Sequence, residues 1–161
     1  LLQVIHQTGQ KSYGAIAREV LGLSDQGTED LPPSVQDGCI RIVPYIYDMP
    51  AALAAADLVV GRAGALSIAE ITVRGLPAVL IPFPYAAENH QEKNARVLEQ
   101  AGAARVILDR DVNGDSLGAC IFELLGDPSL LAQMAAASKK LGRADATQVI
   151  VDRIAELAGW S

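Results

Sequence analysis

Short apolar runs recur along this chain at Leu2–His6, Ile40–Tyr47, Leu58–Gly61, Ala78–Phe83 and Arg105–Leu108. Between them lie stretches of helical pattern near Tyr13–Leu23, Pro50–Ala56, Ala65–Arg74 and Gln91–Ala101. Strands that alternate with helices, and that read as unbroken apolar runs like Ala78-Val-Leu-Ile-Pro82, predict a parallel sheet covered by helices on both faces. Beyond Leu108 the pattern turns all-helical, over Val112–Leu125, Pro128–Leu141 and Ala146–Leu157. Asp111, Asp127 followed by Pro128, and Asp145 are the expected start signals of these three helices. They predict a cap that packs back on the sheet or reaches a neighbouring domain. Ser24–Gly38, rich in Gly, Pro and acids, reads as a surface connection with no chemistry assigned to it. The expectation is an α/β fold with residues 1–161 as a single domain.

The polar residues of Ala56–Ile107 gather where strands hand over to helices. In a parallel sheet those handovers share one edge, and that edge is where such folds bind ligands. Ser67, Glu70, Asn89, His90, Gln91 and Asn94 stand there, a set suited to a nucleotide sugar.

In Gly61-Arg-Ala-Gly-Ala-Leu-Ser67 a strand meets a turn with two glycines and then a helix expected to begin near Ala65. Free backbone N–H groups and the helix dipole make such a terminus an anion site, and small residues let a diphosphate approach. Glu70, about one turn (roughly 5 Å) further along, could accept from adjacent ribose hydroxyls. The same letters, Ser67-Ile-Ala-Glu70, also spell a capping box, which would start the helix at Ile68 instead. After Ala78–Phe83 a polar loop delivers Asn89, His90 and Gln91, and Gln91 and Asn94 share a helical face from which amides could read sugar hydroxyls. Here too a box is open, with Asn89 as cap and Glu92 completing it, Val97, Leu98 and Ala101 as the buried stripe and the amides left solvated. Pro44-Tyr-Ile-Tyr-Asp-Met49 is a further strand end, able to present backbone groups to a base or simply to turn.

Composition narrows the choices. The chain has 161 residues, 50% hydrophobic, with 13 basic against 19 acidic side chains, so scattered basic residues and a net charge of −6 argue against nucleic acid. With aromatics at 4% the core is expected to be aliphatic. Cys39 and Cys120 lack metal-ligand spacing and read as two reduced, buried thiols of a cytosolic protein. No apolar run approaches the roughly 20 residues of a membrane span. His6 stands at a strand end without a partner carboxylate nearby and reads as structural. The sequence has no Walker lysine motif and no zinc spacing.

Three motifs in order carry a resemblance: Tyr45-Ile-Tyr-Asp-Met49, Arg62-Ala-Gly-Ala-Leu-Ser-Ile-Ala-Glu70, and Asn89-His-Gln-Glu-Lys-Asn-Ala95 with its following Ala101-Gly-Ala-Ala104. From His6-Gln-Thr-Gly9 through the terminal helices, the chain resembles the C-terminal domain of the MurG family of peptidoglycan N-acetylglucosaminyltransferases. The resemblance implies one Rossmann-like half of a GT-B enzyme. In that arrangement the C-terminal domain holds UDP-N-acetylglucosamine. The N-terminal domain takes lipid I at the cytoplasmic face of the inner membrane, with which the parent protein associates peripherally. Transfer inverts the anomeric centre, uses no metal or cofactor, and yields lipid II.

By motif, the resemblance implies that Ile46 meets the uracil through its backbone and Glu70 clasps the ribose hydroxyls. Ala65, Leu66 and Ser67 would offer the helix terminus to the diphosphate. His90 and Gln91 would contact the sugar and nearby phosphate, with Asn94 in support. No catalytic residue is expected in this chain, because the family's base is assigned to the acceptor domain. The family's first strand and its GGSxGA loop have no counterpart, so the chain reads as a fragment expected not to catalyse transfer alone, with an exposed apolar sheet edge. Two other readings remain: the donor-binding subunit of a two-chain enzyme acting on dolichyl diphosphate N-acetylglucosamine, and a non-enzymatic α/β module whose capping boxes explain every polar residue.

Overall fold

Ile40-Arg-Ile-Val43 is β-branched at three of four positions and forms a strand, with Pro44, which has no N–H to give a ladder, ending it. The expected extension to Tyr47 therefore does not form. The computed structural model describes residues 2–22 and 33–160. It divides into two compact units, Leu1–Ala52 and Leu53–Ser161, each taken by itself below.

The first unit runs β1 (Val4–Gln7), α1 (Gln10–Leu21), β2 (Val35–Asp37) and β3 (Ile40–Val43), and ends within α2 (Met49–Ala55). Gly9, at φ 79°, makes the turn into α1 that a side chain would resist. Strand order is β1-β3-β2, with β1 parallel to β3 (Val4 opposite Ile40) and β2 antiparallel to it (Val35 opposite Ile42). β2 corrects the reading of Ser24–Gly38 as connection throughout. Residues 24–32 of that segment, like Leu23 at the expected end of the first helix, lie outside the described residues. Tyr13, Ala17, Val35 and Ile42 form the core of this unit.

The second unit holds β4 (Val59–Gly61), α3 (Ala65–Arg74), β5 (Ala78–Leu80), α4 (His90–Gln100), β6 (Ala104–Val106), α5 (Gly114–Gly126), α6 (Pro128–Leu141) and α7 (Ala146–Ala158). Its sheet is wholly parallel in the order β4-β5-β6. Central β5 is buried along its whole length, as its unbroken apolar run predicts. One side of the unit packs Ile71, Leu80 and Leu98; another packs Val79, Leu124 and Met134. The core is aliphatic, in keeping with the composition. β1 and β4 are each paired on one side only among the described residues, with Ile5 and Val60 exposed.

Several local signals differ from expectation. Asn113, not Asp111, caps α5: its side chain accepts from the Ser116 N–H while Ser116 Oγ accepts from the Asn113 N–H, both at 2.9 Å. Asp127 caps α6 as expected, accepting from the Leu130 N–H at 3.0 Å ahead of Pro128. Asp145 precedes α7 but makes no capping bond. α5 and α6 pack into the second unit, whereas α7 buries none of its residues and leaves Ile150, Ile154 and Leu157 exposed. Cys39 is exposed rather than buried, because it sits in the turn between β2 and β3. Cys120 is half-buried on α5, and burial pushes its thiol up, with Glu123 adding to the effect.

Where α6 lies against α3, Ser138 is fully buried and its hydroxyl has no hydrogen-bond partner among the described residues. A buried hydroxyl without a partner is a net cost. Ser138→Ala is therefore expected to raise the unfolding free energy by up to about 1 kcal/mol, read from urea midpoints. A loss of stability would mean that the oxygen makes a contact in solution.

Candidate functional site

Two helices begin at the C-terminal ends of adjacent parallel strands, α3 after β4 and α4 after β5. Gly64 stands at the N-cap of α3 in extended conformation, and the first helical bond runs from the Ile68 N–H to the Gly64 carbonyl at 3.0 Å. The N–H groups of Ala65, Leu66 and Ser67 thus lie ahead of any intrahelical acceptor. This start excludes the capping-box reading of Ser67-Ile-Ala-Glu70. The helix begins at Ala65, and Ser67 is inside it rather than capping it. Ala65, Leu66, Ser67 and Glu70 are all exposed, Leu66 at 82%. Glu70 follows Ser67 on the same face by three residues, so one carboxylate stands about a turn (5 Å) beyond an uncapped positive helix end.

The far end of α3 explains why its register is fixed. Gly75, at φ 75°, closes the helix by donating to the Ile71 and Thr72 carbonyls at 2.9 and 3.0 Å, and the Leu76 N–H adds a bond to Ile71 at 3.1 Å.

After β5, Pro82 and Pro84 cannot donate to a ladder, and the chain leaves the sheet at Leu80 instead of the expected Phe83. A short 3₁₀ turn, Ala87–Asn89, then places Glu88 and Asn89 at φ 51° and 55°. Asn89 occupies the N-cap position of α4, but its side chain accepts nothing from the helix backbone; its amide donates to Glu92 Oε2 at 2.7 Å. The backbone capping box therefore does not form. His90 Nδ1 lies 2.7 Å from the Ala87 carbonyl, which can only accept. Nδ1 thus carries a proton and donates it to that carbonyl. Gln91 Oε1 accepts from the Phe83 N–H at 3.0 Å, and Asn94 Nδ2 donates to the Ala63 carbonyl at 3.4 Å. Both amides are half-buried and engaged rather than solvated. Asn94 joins α4 to the turn that opens α3. The buried residues of α4 are Ala95 and Leu98, while Val97 and Ala101, expected in that stripe, are exposed.

Ile46 belongs to the first unit. Its N–H donates to Gln7 Oε1 at 2.8 Å, and Asp48 Oδ1 accepts from the Ala51 N–H at 3.0 Å to start α2. Gln7 at the end of β1 bonds the Ile46 N–H, and Arg62 at the end of β4 bonds the Ile81 and Pro82 carbonyls; the sequence pattern singles out neither side chain. Their position at strand ends, beside residues already singled out, is the signal that marks them.

Residues 1–150 match the glycosyltransferase family 28 C-terminal domain. The chain belongs to this family. Among family 28 relatives, the UDP-N-acetylglucosamine–N-acetylmuramyl-(pentapeptide) pyrophosphoryl-undecaprenol N-acetylglucosamine transferase of Desulforamulus reducens is 48% identical over 151 residues, covering 93% of this chain and 38% of that protein. The transferase of the same name from Halothermothrix orenii is 45% identical over 160 residues, covering 99% of this chain and 41% of that one. The crystal structure of Acinetobacter baumannii MurG superposes with a TM-score of 0.76 at 32% identity, over 96% of this chain and 43% of that one. The chain thus spans about two fifths of the length of these relatives.

Proposed function

We propose that this chain is the donor-binding part of an inverting, metal-independent N-acetylglucosaminyltransferase that converts lipid I to lipid II in peptidoglycan synthesis. The observation that carries the reading is the start of α3 at Ala65, which leaves three N–H groups at a helix end with Glu70 one turn behind. The names of the relatives, which specify a UDP-N-acetylglucosamine donor and a pyrophosphoryl-undecaprenol acceptor, support the substrate class.

In this reading the diphosphate of UDP-N-acetylglucosamine meets the N–H groups of Ala65, Leu66 and Ser67, and Glu70 accepts from the two ribose hydroxyls. The Ile46 N–H is taken by Gln7, so recognition of uracil by this residue falls to its carbonyl, which accepts from the base N3–H. His90 and Gln91 face the sugar and nearby phosphate, and Asn94 holds α4 beside them. In the reaction the acceptor hydroxyl attacks C1 of the sugar from the face opposite the leaving group. The C1–O bond to the diphosphate breaks as the new glycosidic bond forms. The hydroxyl proton passes to a base on the acceptor side of the longer protein, and UDP departs with its added charge on the α3 terminus. Lipid I binding and peripheral association with the cytoplasmic face of the inner membrane belong to that longer protein. In this chain no helix among the described residues is long and apolar enough to cross a membrane.

An amide NMR titration tests the reading. UDP-N-acetylglucosamine and UDP are expected to shift signals at Ala65–Glu70 and around His90–Asn94, and an ADP-sugar is expected to leave them in place. A dispersed spectrum that ignores all three, or responds equally to the ADP-sugar, overturns it.

A further inference from the structure

Arg62 makes more polar connections than any residue placed in the donor site. It follows β4 directly, and its Nη1 donates to the Ile81 and Pro82 carbonyls, each at 3.2 Å, and to the Asp109 carboxylate beyond β6. Its guanidinium carbon also lies 5.6 Å from the centroid of the Phe83 ring. One side chain therefore links the C-terminal ends of all three strands of the second unit's sheet.

The bond to Pro82 has a consequence for Gln91. The Pro82 carbonyl and the Phe83 N–H belong to one peptide unit, which is planar and trans, so the two groups point in opposite directions. Arg62 holds the oxygen of that plane, and Gln91 Oε1 takes the hydrogen from its other side. Pro82 and Pro84, on either side of Phe83, have no N–H of their own to add to these two bonds. With Oε1 used as an acceptor, the Gln91 Nε2 group is left as a donor, suited to a sugar hydroxyl or phosphate oxygen.

We propose that Arg62, held by Asp109, is a positioning residue that sets the direction of the Gln91 amide through the Pro82–Phe83 peptide plane, and so governs recognition of the donor's sugar more than of its nucleotide. The inference rests on the donor-binding reading above. Both members of the Arg62–Asp109 pair are part-exposed (49% and 36%), and such pairs add little to stability, so the role of this one is geometric.

The test uses the whole chain with Arg62→Gln, Asp109→Asn, Gln91→Ala and the double variant of Arg62→Gln with Gln91→Ala. Without ligand, Arg62→Gln is expected to move the Phe83 backbone amide and the Gln91 side-chain amide signals, and to leave the amides of α3 in place. With ligand, it is expected to weaken UDP-N-acetylglucosamine by about tenfold, the upper range for one well-placed hydrogen bond, and to weaken UDP by less. Asp109→Asn is expected to act in the same direction, and the double variant to bind no more weakly than Gln91→Ala alone. Equal losses for UDP and UDP-N-acetylglucosamine, unmoved Gln91 signals, or losses that add in the double variant would each overturn the proposal. If the wild-type chain binds neither nucleotide, the donor reading itself fails and takes this inference with it. If the wild type and Arg62→Gln favour UDP-N-acetylglucosamine over UDP to the same degree, this inference alone fails.

Discussion

Gly142→Ala is expected to lower the unfolding free energy by about 3 kcal/mol or more, an overpacking penalty at the upper end of the usual range. Gly142 follows α6 where that helix crosses the last turn of α3. A Cβ built there would lie 2.5 Å from the Thr72 carbonyl oxygen, 2.8 Å from its carbon and 2.9 Å from the Val73 Cα. All three are backbone atoms, so no rotamer change relieves the clash. The backbone itself is not the obstacle, since φ −67° and ψ 138° suit any residue. The two helices must separate, which would also pull Lys139 Nζ from the Val73 carbonyl it bonds. Urea denaturation checks this, with Gly118→Ala as control. Gly118 lies inside α5, a Cβ there meets nothing within 4 Å, and alanine is expected to stabilise by about 0.5–1 kcal/mol. Similar midpoints for the two variants would mean that α6 yields easily and that the close approach is not a constraint.

The sequence was most legible where termini carry chemistry of their own. The limits Ala65–Arg74 and Pro128–Leu141 are read correctly because Gly64, Gly75 and the Asp127-Pro128 pair act within a turn of where they stand. Strand ends were less legible: apolar character continues past Val43 and Leu80, but Pro44 and Pro82 stop the ladders. β2 escaped notice because a three-residue antiparallel strand of Val, Gln and Asp has no pattern of its own and depends on Ile42 for its pairing. At Asn113 the nearer residue pair, with Ser116 at the third position, outcompetes Asp111 as a cap. The candidate site divides in the same way. Ser67, Glu70, Gln91 and Asn94 are singled out by their place at strand-to-helix handovers. Arg62 is not, because two of its partners are backbone carbonyls and the third, Asp109, is 47 residues away. Ser67-Ile-Ala-Glu70 reads equally well as cap or as site, and Gly64 removes the cap by starting the helix three residues before a box would.

That decision makes Glu70→Ala the most informative single change. If Glu70 completed a capping box, its loss would cost stability, since caps contribute about 1 kcal/mol, and would leave nucleotide affinity alone. It does not: α3 starts at Ala65 and the Glu70 carboxylate is exposed on the helix surface. A carboxylate that accepts from two vicinal hydroxyls makes two charge-assisted bonds, each about 1.5–3 kcal/mol. Glu70→Ala is accordingly expected to weaken UDP and UDP-N-acetylglucosamine by about a hundredfold or more, with the urea midpoint unchanged. Glu70→Gln keeps one acceptor oxygen and is expected to fall between, while 2′-deoxy-UDP should bind the wild type more weakly and Glu70→Ala no worse than UDP does. This last comparison separates a ribose contact from a general electrostatic one, because removing a hydroxyl leaves every charge in place. Equal sensitivity of wild type and variant to the missing hydroxyl would place the ribose elsewhere and leave Glu70 as a surface carboxylate of α3.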